Sequence, residues 1–380
     1  MANGKVFCCG GDLTSAYTFI NLGHWSFGAS YYRKEFYLDY FLATYKKPLL
    51  ALLDGSVMGG GVGISIHSTF RIVTENTSFA MPEVLIGLFP DVGASYFLSR
   101  LPGFFGEYVG LTGARLNGAE MLACGLGTHF VPSKVLASIR IIVHIFPRCM
   151  LISYGCYLCL QNLKPLENAL ENMVASLGSP SVASLSMIIN KFAQEVNVKS
   201  DSIYLRLDMI NQCFNGKSCE EILSSLEHLA TQVQEKWVHD AIKSMKSANP
   251  LGLKICLRMI REGRSRNIEQ CLETEYIAIS HVLRRTFSNN FYEVSGKKNF
   301  SIVHRPIRLI SLKKMFFLQG SRAMLIDKDK KPKWVPSTLE GVSEEMVARC
   351  LSESFNEDDD WLPLQLSLKT NRTDAVASKL

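Results

Sequence analysis

The chain has 380 residues, 47% of them hydrophobic and 20% charged, with a formal net charge of +6. This length allows one large domain or two smaller ones, each with a buried core. The positive charge is local, because the acid-free ranges 135–161 and 294–319 together hold eight Lys and Arg residues. A nucleic-acid interface would need a patterned basic face, so we expect no nucleic-acid partner.

The apolar stretch 135–160 is interrupted by Arg140, His144, Pro147 and Arg148. A helix that spans a bilayer needs about 20 predominantly apolar residues, so we expect no membrane span. The 11 cysteines lack the paired spacing of a zinc site, which predicts no metal. Without a recognisable secretory signal, reduced thiols in an intracellular compartment are expected.

In chain order, the first part of the sequence alternates between apolar strands and short helices. KKPLLALLDGSV predicts a buried strand, GGGVGISIHS a glycine turn entering a helix, and FRIVTE a second strand. SYFLSRL and LNGAEMLACG predict helices, and THFV a short strand. Strands that alternate with helices indicate an α/β fold.

The pattern changes after residue 161, where apolar residues recur at helical spacings of three and four. These residues are Leu163, Leu166, Leu170, Met173 and Leu177. Further on, Ser218 and Glu221 have capping-box spacing, and PLGLKICLRMIREG and NIEQCLETEYIAISHVLRR predict two more helices. The C-terminal region is therefore expected to be mostly helical.

Two glycine turns could supply backbone donors. FCCGGDL contains Gly11, and VMGGGVG contains Gly60. The second turn matches neither a dinucleotide fingerprint nor a P-loop, since Ile64 replaces the required glycine and no Gly-Lys-Ser/Thr follows. A backbone N–H at a helix start can stabilise a developing oxyanion, although either turn taken alone could equally be structural.

Two carboxylates lie in the largely apolar stretch SFAMPEVLIGLFPDVGAS. Glu83 precedes Val84, Leu85 and Ile86, and burial there would raise its pKa and suit it to general acid or base chemistry. Asp91 stands at a predicted helix start, where a capping role is an equally good explanation. Glu35 lies on a predicted helix; such charges are usually solvated, but Glu35 could point into a pocket.

Together, FCCGGD, VMGGGVGISIH, FAMPEVLIGLFPDVGASYFLSRLPG and LTGARLNGAEMLACGLGTHFVPS resemble the crotonase (enoyl-CoA hydratase/isomerase) superfamily. Within it, LKICLRMIREGRS, FYE and GSRAMLIDKDKKPKW resemble the 3-hydroxyisobutyryl-CoA hydrolase branch. The resemblance implies an α/β, crotonase-like (ClpP/crotonase) ββα spiral core with a mostly helical C-terminal region. It also implies an acyl-CoA substrate, no separate cofactor, and hydrolysis of 3-hydroxyisobutyryl-CoA in valine catabolism.

Carried over to this sequence, the resemblance implies a role for each candidate residue. Gly11 and Gly60 become oxyanion-hole donors, and Glu83 the catalytic acid/base or nucleophile. Asp91 becomes a second catalytic carboxylate that binds the 3-hydroxyl group. Glu35 and Gly60 join Glu83 and Asp91 as the substrate-binding set.

An enoyl-CoA hydratase or isomerase is the alternative activity. The hydratase reaction in that family uses two glutamates, and the place of one of them is occupied here by Gly63. This departure favours thioester hydrolysis. The acyl preference is open between 3-hydroxyisobutyryl and 3-hydroxypropionyl groups, and a homo-oligomer is possible.

Relative to the family pattern, the chain divides into five ranges. Residues 1–134 form the core, which begins late in the pattern, and 162–293 the helical region, whereas 320–380 form the closing region and tail. Residues 135–161 and 294–319 are atypical insertions, expected to be structureless; each begins with Val and ends with Gln. Their removal restores the family pattern, so we interpret them as retained introns or gene-model errors; genuine surface loops are the alternative.

The sequence ends Ser378-Lys379-Leu380, which is a peroxisomal address when it stands at the extreme C-terminus. It predicts recognition by the peroxisomal import receptor and a peroxisomal location. The alternative location is the mitochondrion, if a missing N-terminal segment carried a transit peptide.

The intron hypothesis predicts that mature transcripts lack the coding sequence of both atypical ranges. Sequencing cDNA across the two junctions measures this directly. Transcripts that uniformly contain both segments would contradict the hypothesis and leave the surface-loop explanation.

Overall fold

A computed structural model gives the fold. It describes residues 5–11, 24–136, 139, 150–152, 182–286, 332–353 and 361–366. The predicted helix around 163–177, the atypical range 294–319 and the Ser378-Lys379-Leu380 end lie outside these residues.

The strands are short, and three of them, β2, β4 and β7 in the following list, lie in runs that the sequence predicted as strands. They are β1 Val6–Cys8, β2 Leu49–Leu53, β3 Ser56–Met58, β4 Phe70–Val73, β5 Ser78–Ala80, β6 Leu116–Asn117, β7 His129–Phe130 and β8 Met150–Ile152.

Apart from the 19-residue first helix, the longest described helices lie between Cys219 and Leu283. They are α1 Trp25–Ala43, α2 Gly60–Ile66, α3 Ala94–Leu98, α4 Phe105–Thr112, α5 Gly118–Ala123, α6 Val182–Asn190, α7 Leu207–Phe214, α8 Cys219–Gln232, α9 Lys236–Ser247, α10 Pro250–Gly263, α11 Ile268–Leu283 and α12 Glu344–Cys350. The described residues also form short 3₁₀ turns at Glu83–Ile86, Ser133–Val135 and Ile203–Arg206.

The strands form two four-stranded sheets, with orders β1-β3-β5-β6 and β7-β4-β2-β8. Consecutive strands alternate between the sheets: β2 and β4 belong to the second sheet, and β3 and β5 to the first. A helical segment follows each of these pairs, which gives repeated ββα units. All the described pairings are parallel except β5 with β6.

Strand β2 separates two hydrophobic cores. Alternate side chains of a strand point to opposite faces. Ala51 and Leu53 join the large core that extends to the C-terminal helices, whereas Leu50 and Leu52 join a smaller core with residues of β4 and α6. Burial on both faces explains why this strand is a continuous apolar run rather than an alternating one.

The turn after β2 requires glycine. Gly55 has φ +92°, and a methyl group there would lie 2.6 Å from the Lys5 backbone carbon. This close approach sets β3 beside β1, since Ser56 N–H donates to the Lys5 carbonyl at 3.0 Å. The strand pair carries the two glycine turns of the site.

Part of the range 135–161 is ordered, contrary to the expectation of a structureless segment. Met150–Ile152 pairs with β2 in parallel, with Leu49 opposite Met150. Leu136 and Ile139 are buried in the smaller core. The edge of β2 that is not paired with β4 can accept another strand, and an apolar segment pairs with it. The periodicity of the sequence alone could not predict this pairing.

The C-terminal helices pack on α1, α3 and α4. Helix α11 packs along α1, where the Phe36 and Tyr276 rings meet edge to face at 6.3 Å. The predicted capping box at α8 is half formed: Ser218 caps Glu221 N–H, but the Glu221 carboxylate accepts from Lys217 N–H. Within the described ranges, no helix is both long and apolar enough for a membrane crossing.

Candidate active site

One cavity collects all the predicted site residues. It has a volume of about 210 Å³ and is lined by the turn after β1, by α1, by the turn before α2 and by residues 82–92. The predicted residues in its lining are Gly11, Glu35, Gly60, Glu83 and Asp91. Residues separated by up to 80 positions in the sequence therefore face a single small space.

The two glycine turns touch each other in the wall of this cavity. A methyl group at Gly10 would lie 3.0 Å from the Gly60 nitrogen, and one at Gly60 would collide with the Glu35 carboxylate. A methyl group at Gly11 would collide with the Tyr31 hydroxyl. Gly60 is the first residue of α2, and N–H groups in a first helical turn have no intrahelical acceptor. Because these positions are glycines, the backbone N–H groups of the two turns are not covered by side chains of their own residues.

Glu83 begins a 3₁₀ turn against the cavity and is only 6% exposed. Its Oε2 has no hydrogen-bond partner among the described residues. The other oxygen, Oε1, lies 3.2 Å from where a methyl group at Gly59 would stand. Burial raises the pKa of Glu83 to about 8, although a hydrogen bond from its own backbone opposes the rise. A carboxyl in this state is suited to proton transfer or nucleophilic attack near neutral pH.

Asp91 is buried in the same cavity and does not cap the helix that follows. The N-cap of α3 is Gly93, without a side-chain cap hydrogen bond, and Asp91 supplies only its backbone carbonyl, to Ala94 N–H at 2.9 Å. Burial raises the Asp91 pKa well above its usual range, and the charges of Glu83 and Glu35 raise it further. The carboxyl group of Asp91 can form a hydrogen bond with a ligand hydroxyl group in either protonation state.

Glu35 and Asp39 lie one turn apart on the inward face of α1. Burial raises the pKa of Glu35 to about 7. Asp39 is fully buried, and neither of its oxygens has a hydrogen-bond partner in the described structure. A methyl group at Gly63 would lie 2.8 Å from Asp39 Oδ1 and 2.7 Å from Val92 Cβ. The space beside Gly63 is thus already filled, and a glutamate there would not fit.

Sequence reasoning missed two buried carboxylates near the site, Asp39 and Glu275. Asp39 follows Glu35 by four residues, which is the spacing of neighbours on one helix face. Glu275 is an acid on the otherwise apolar inner face of α11. These signals were available, but they become informative only when α1 and α11 are known to pack together.

Comparison with known proteins identifies the family. The model described as enoyl-CoA hydratase/isomerase matches residues 1–144, 156–297 and 307–351. The chain belongs to the enoyl-CoA hydratase/isomerase family. The two unmatched internal stretches, 145–155 and 298–306, lie within the two atypical ranges.

Relatives in this family include hydrolases. The chain is 44% identical to "3-hydroxyisobutyryl-CoA hydrolase 1" of Arabidopsis thaliana, over 95% of this chain and 80% of that protein. It is 34% identical to "3-hydroxyisobutyryl-CoA hydrolase, mitochondrial" of Gallus gallus, over 93% of this chain and 76% of that protein. The expected family branch is thereby confirmed.

The fold is that of solved family members. A crystal structure of an enoyl-CoA hydratase from Rhodobacter sphaeroides 2.4.1 matches with a TM-score of 0.67 and 26% identity. The match covers 92% of this chain and 81% of that chain. The predicted crotonase-like α/β core with a helical C-terminal region is confirmed; the domain boundaries, the site roles and the oligomeric state stay predictions.

Asp39 should make stability fall as pH rises. Its pKa is raised by burial first and by Glu35 and Glu275 next, so the folded state holds a proton that the unfolded chain loses near pH 4. The contribution of Asp39 to the free energy of unfolding is fully present below the unfolded pKa. It is lost as pH rises toward the raised folded pKa, by up to about 1.4 kcal/mol per pH unit.

We expect Asp39→Asn to remove this dependence. Its advantage in melting temperature over the wild type should grow between pH 5 and pH 8, as measured by thermal unfolding. Asp240→Asn is a control at a surface position, where the side chain is 58% exposed; its effect should not grow in this way. A constant difference for Asp39→Asn across the range would show that Asp39 is not held protonated.

Proposed function

We propose that this chain hydrolyses the thioester of 3-hydroxyisobutyryl-CoA to 3-hydroxyisobutyrate and CoA. The observation that carries the proposal is the cavity, where Glu83 and Asp91 face two glycine turns. The 44% identity to an Arabidopsis protein of that name supports the same substrate. We place the activity in valine catabolism because the named substrate belongs to that route.

In the proposed reaction, Glu83 starts the attack on the thioester carbonyl carbon. Its carboxylate either bonds to that carbon directly, forming an anhydride that water then cleaves, or removes a proton from an attacking water. In both routes a new C–O bond forms, the C–S bond breaks, and the electron pair leaves on the CoA sulfur. The low-polarity surroundings that raise the pKa of Glu83 also make the carboxylate more reactive once it is ionised.

Gly11 and Gly60 are proposed to hold the oxyanion that develops on the carbonyl oxygen. Two backbone N–H groups placed in advance stabilise this charge without reorganisation, which is worth most in a site that excludes water. Any larger residue at either position would place a side chain where Tyr31 or Glu35 already lies.

Asp91 is proposed to bind the 3-hydroxyl group of the acyl chain, with Glu35 in the lining of the same cavity. Burial raises the pKa of Asp91, and its carboxyl group can donate a hydrogen bond to the hydroxyl oxygen when protonated or accept one from the hydroxyl group when ionised. This contact orients the acyl group so that its carbonyl carbon faces Glu83.

A hydratase is the alternative, and the surroundings of Gly63 argue against it. Hydration of the double bond requires a second glutamate there according to the family resemblance. Asp39 and Val92 fill the space beside Gly63. Neither Gly63 nor Asp39 belongs to the cavity lining, so no carboxylate reaches the cavity from that position. The carboxylate proposed to act with Glu83 in this cavity is that of Asp91.

The proposed roles predict unequal effects of two substitutions. Glu83→Gln removes the attacking group and should reduce kcat by on the order of 10²–10⁴-fold. Asp91→Asn keeps the shape but removes the carboxyl group, whose hydrogen bond contributes about 1.5–3 kcal/mol when the group is ionised, so turnover should fall by roughly 10–100-fold.

The measurement is release of free thiol from 3-hydroxyisobutyryl-CoA by the purified, folded protein. 3-Hydroxypropionyl-CoA tests the acyl preference, and crotonyl-CoA tests hydration under the same conditions. Absence of thiol release from the wild type would defeat the proposal, and hydration of crotonyl-CoA would support the alternative. An Asp91→Asn variant that loses only stability would remove Asp91 from the mechanism.

We further propose that Ser378-Lys379-Leu380 directs this chain to the peroxisome through the import receptor. The name of the Gallus gallus relative favours the mitochondrial alternative. Deletion of the three residues should release a fluorescent fusion, with the tag at the N-terminus, from puncta into the cytosol. Punctate or mitochondrial signal that is unchanged by the deletion would contradict peroxisomal import.

A further inference from the structure

Glu275 reaches across the molecule to the chain segment that follows Asp91. It lies on α11, is fully buried, and is not in the lining of the cavity. Its Oε2 accepts a hydrogen bond from Gly93 N–H at 2.7 Å. Its Oε1 accepts from Ser95 N–H at 2.8 Å and from the Ser95 hydroxyl at 2.6 Å. One carboxylate thus satisfies three donors of a segment 180 residues away.

The segment it contacts has a backbone conformation that needs support. Val92 has φ +55° and Gly93 has φ +85°. A β-branched residue such as valine rarely adopts the left-handed region, and such a conformation persists only when the surroundings hold it. Val92 itself is buried against the cavity and against Gly63. The bend aims the preceding residue, Asp91, into the cavity.

We propose that Glu275 is a positioning residue of the active site, whose carboxylate holds the bend at residues 92–95 and thereby the place of Asp91. The inference rests on the proposed function, since it assigns Glu275 to the support of a residue of that mechanism. It also gives the helical C-terminal region a part in catalysis, through a side chain that never touches substrate.

The three hydrogen bonds are strongest with the ionised carboxylate, because both backbone N–H groups and the Ser95 hydroxyl can then all donate to it. Burial raises the pKa of Glu275 to about 7, and the hydrogen bonds from Ser95 and Gly93 oppose that rise. At pH 8 the carboxylate is therefore mostly ionised, so the experiment is set at that pH.

The test is Glu275→Gln in the full chain. Glutamine preserves the shape, but its NH₂ group must face at least one of the N–H donors, so the bend is released. Misplacement of a reacting group by about 1 Å can cost on the order of 10²-fold in rate. We expect kcat for 3-hydroxyisobutyryl-CoA to fall by at least tenfold, whereas KM changes by less than threefold.

A double variant separates positioning from general stability. Glu275→Gln added to Asp91→Asn should cause no further loss of kcat, because the residue that Glu275 positions is already disabled. Glu107→Gln is the matched control: Glu107 is also fully buried, pairs with Arg264 at 2.6 Å, and is outside the cavity lining. That variant should retain the wild-type kcat at pH 8.

Amide hydrogen exchange gives a readout that does not depend on activity. Glu275→Gln should speed exchange in peptides that cover residues 91–97, and Glu107→Gln should not. Wild-type kcat in Glu275→Gln, a multiplicative loss in the double variant, or unchanged exchange at 91–97 would each overturn the positioning role. If the wild type releases no thiol at all, the proposed function fails, and exchange alone decides whether Glu275 holds the bend.

Discussion

The burial of several carboxylates in one low-polarity region is the constraint on which the site depends. Glu35, Asp39, Glu83, Asp91 and Glu275 converge there, and none takes part in the ion pairs of the described residues. Burial raises the pKa of every one of them. Charged groups without partners are costly in such surroundings, so protons are retained that solvent-exposed carboxyls would lose.

The five carboxylates come from separate elements of the fold. Helix α1 supplies Glu35 and Asp39, the segment from the 3₁₀ turn to α3 supplies Glu83 and Asp91, and α11 supplies Glu275. The packing of α11 on α1 brings Glu275 close to the carboxylates of α1. The helical C-terminal region is therefore part of what gives the cavity its electrostatics, as well as part of the core.

Much of the fold could be predicted from local patterns. The apolar run at β2 and the glycine turn before α2 need no distant information, and both are where the sequence indicated. The pairing of Met150–Ile152 with β2 could not be predicted, because it depends on which strand edge is free. The half-formed cap at Ser218 shows a similar limit, since a competing donor from Lys217 takes the Glu221 carboxylate.

The site was predictable where the chemistry is carried by one short motif. Glu83 and Asp91 stood out as charges in an apolar stretch, and the family resemblance assigned roles to Gly11, Glu35 and Gly60, which the residue patterns alone had left open. Only the structure shows that Asp91 does not cap the helix, since Gly93 stands at the cap; the catalytic role of Asp91 stays a prediction. The absent acid at Gly63 acquired a physical reason only when Asp39 and Val92 were seen to fill its space.

The pH dependence of kcat/KM for 3-hydroxyisobutyryl-CoA hydrolysis tests the account most directly. Because Glu83 must lose its proton before it attacks or activates water, the account predicts activity that rises with pH through an apparent pKa of about 8. The limb should be absent in the residual activity of Glu83→Gln. A rising limb near 4.3, the ordinary value for a glutamate, would contradict the account because it would mean that Glu83 is not held in a low-polarity site.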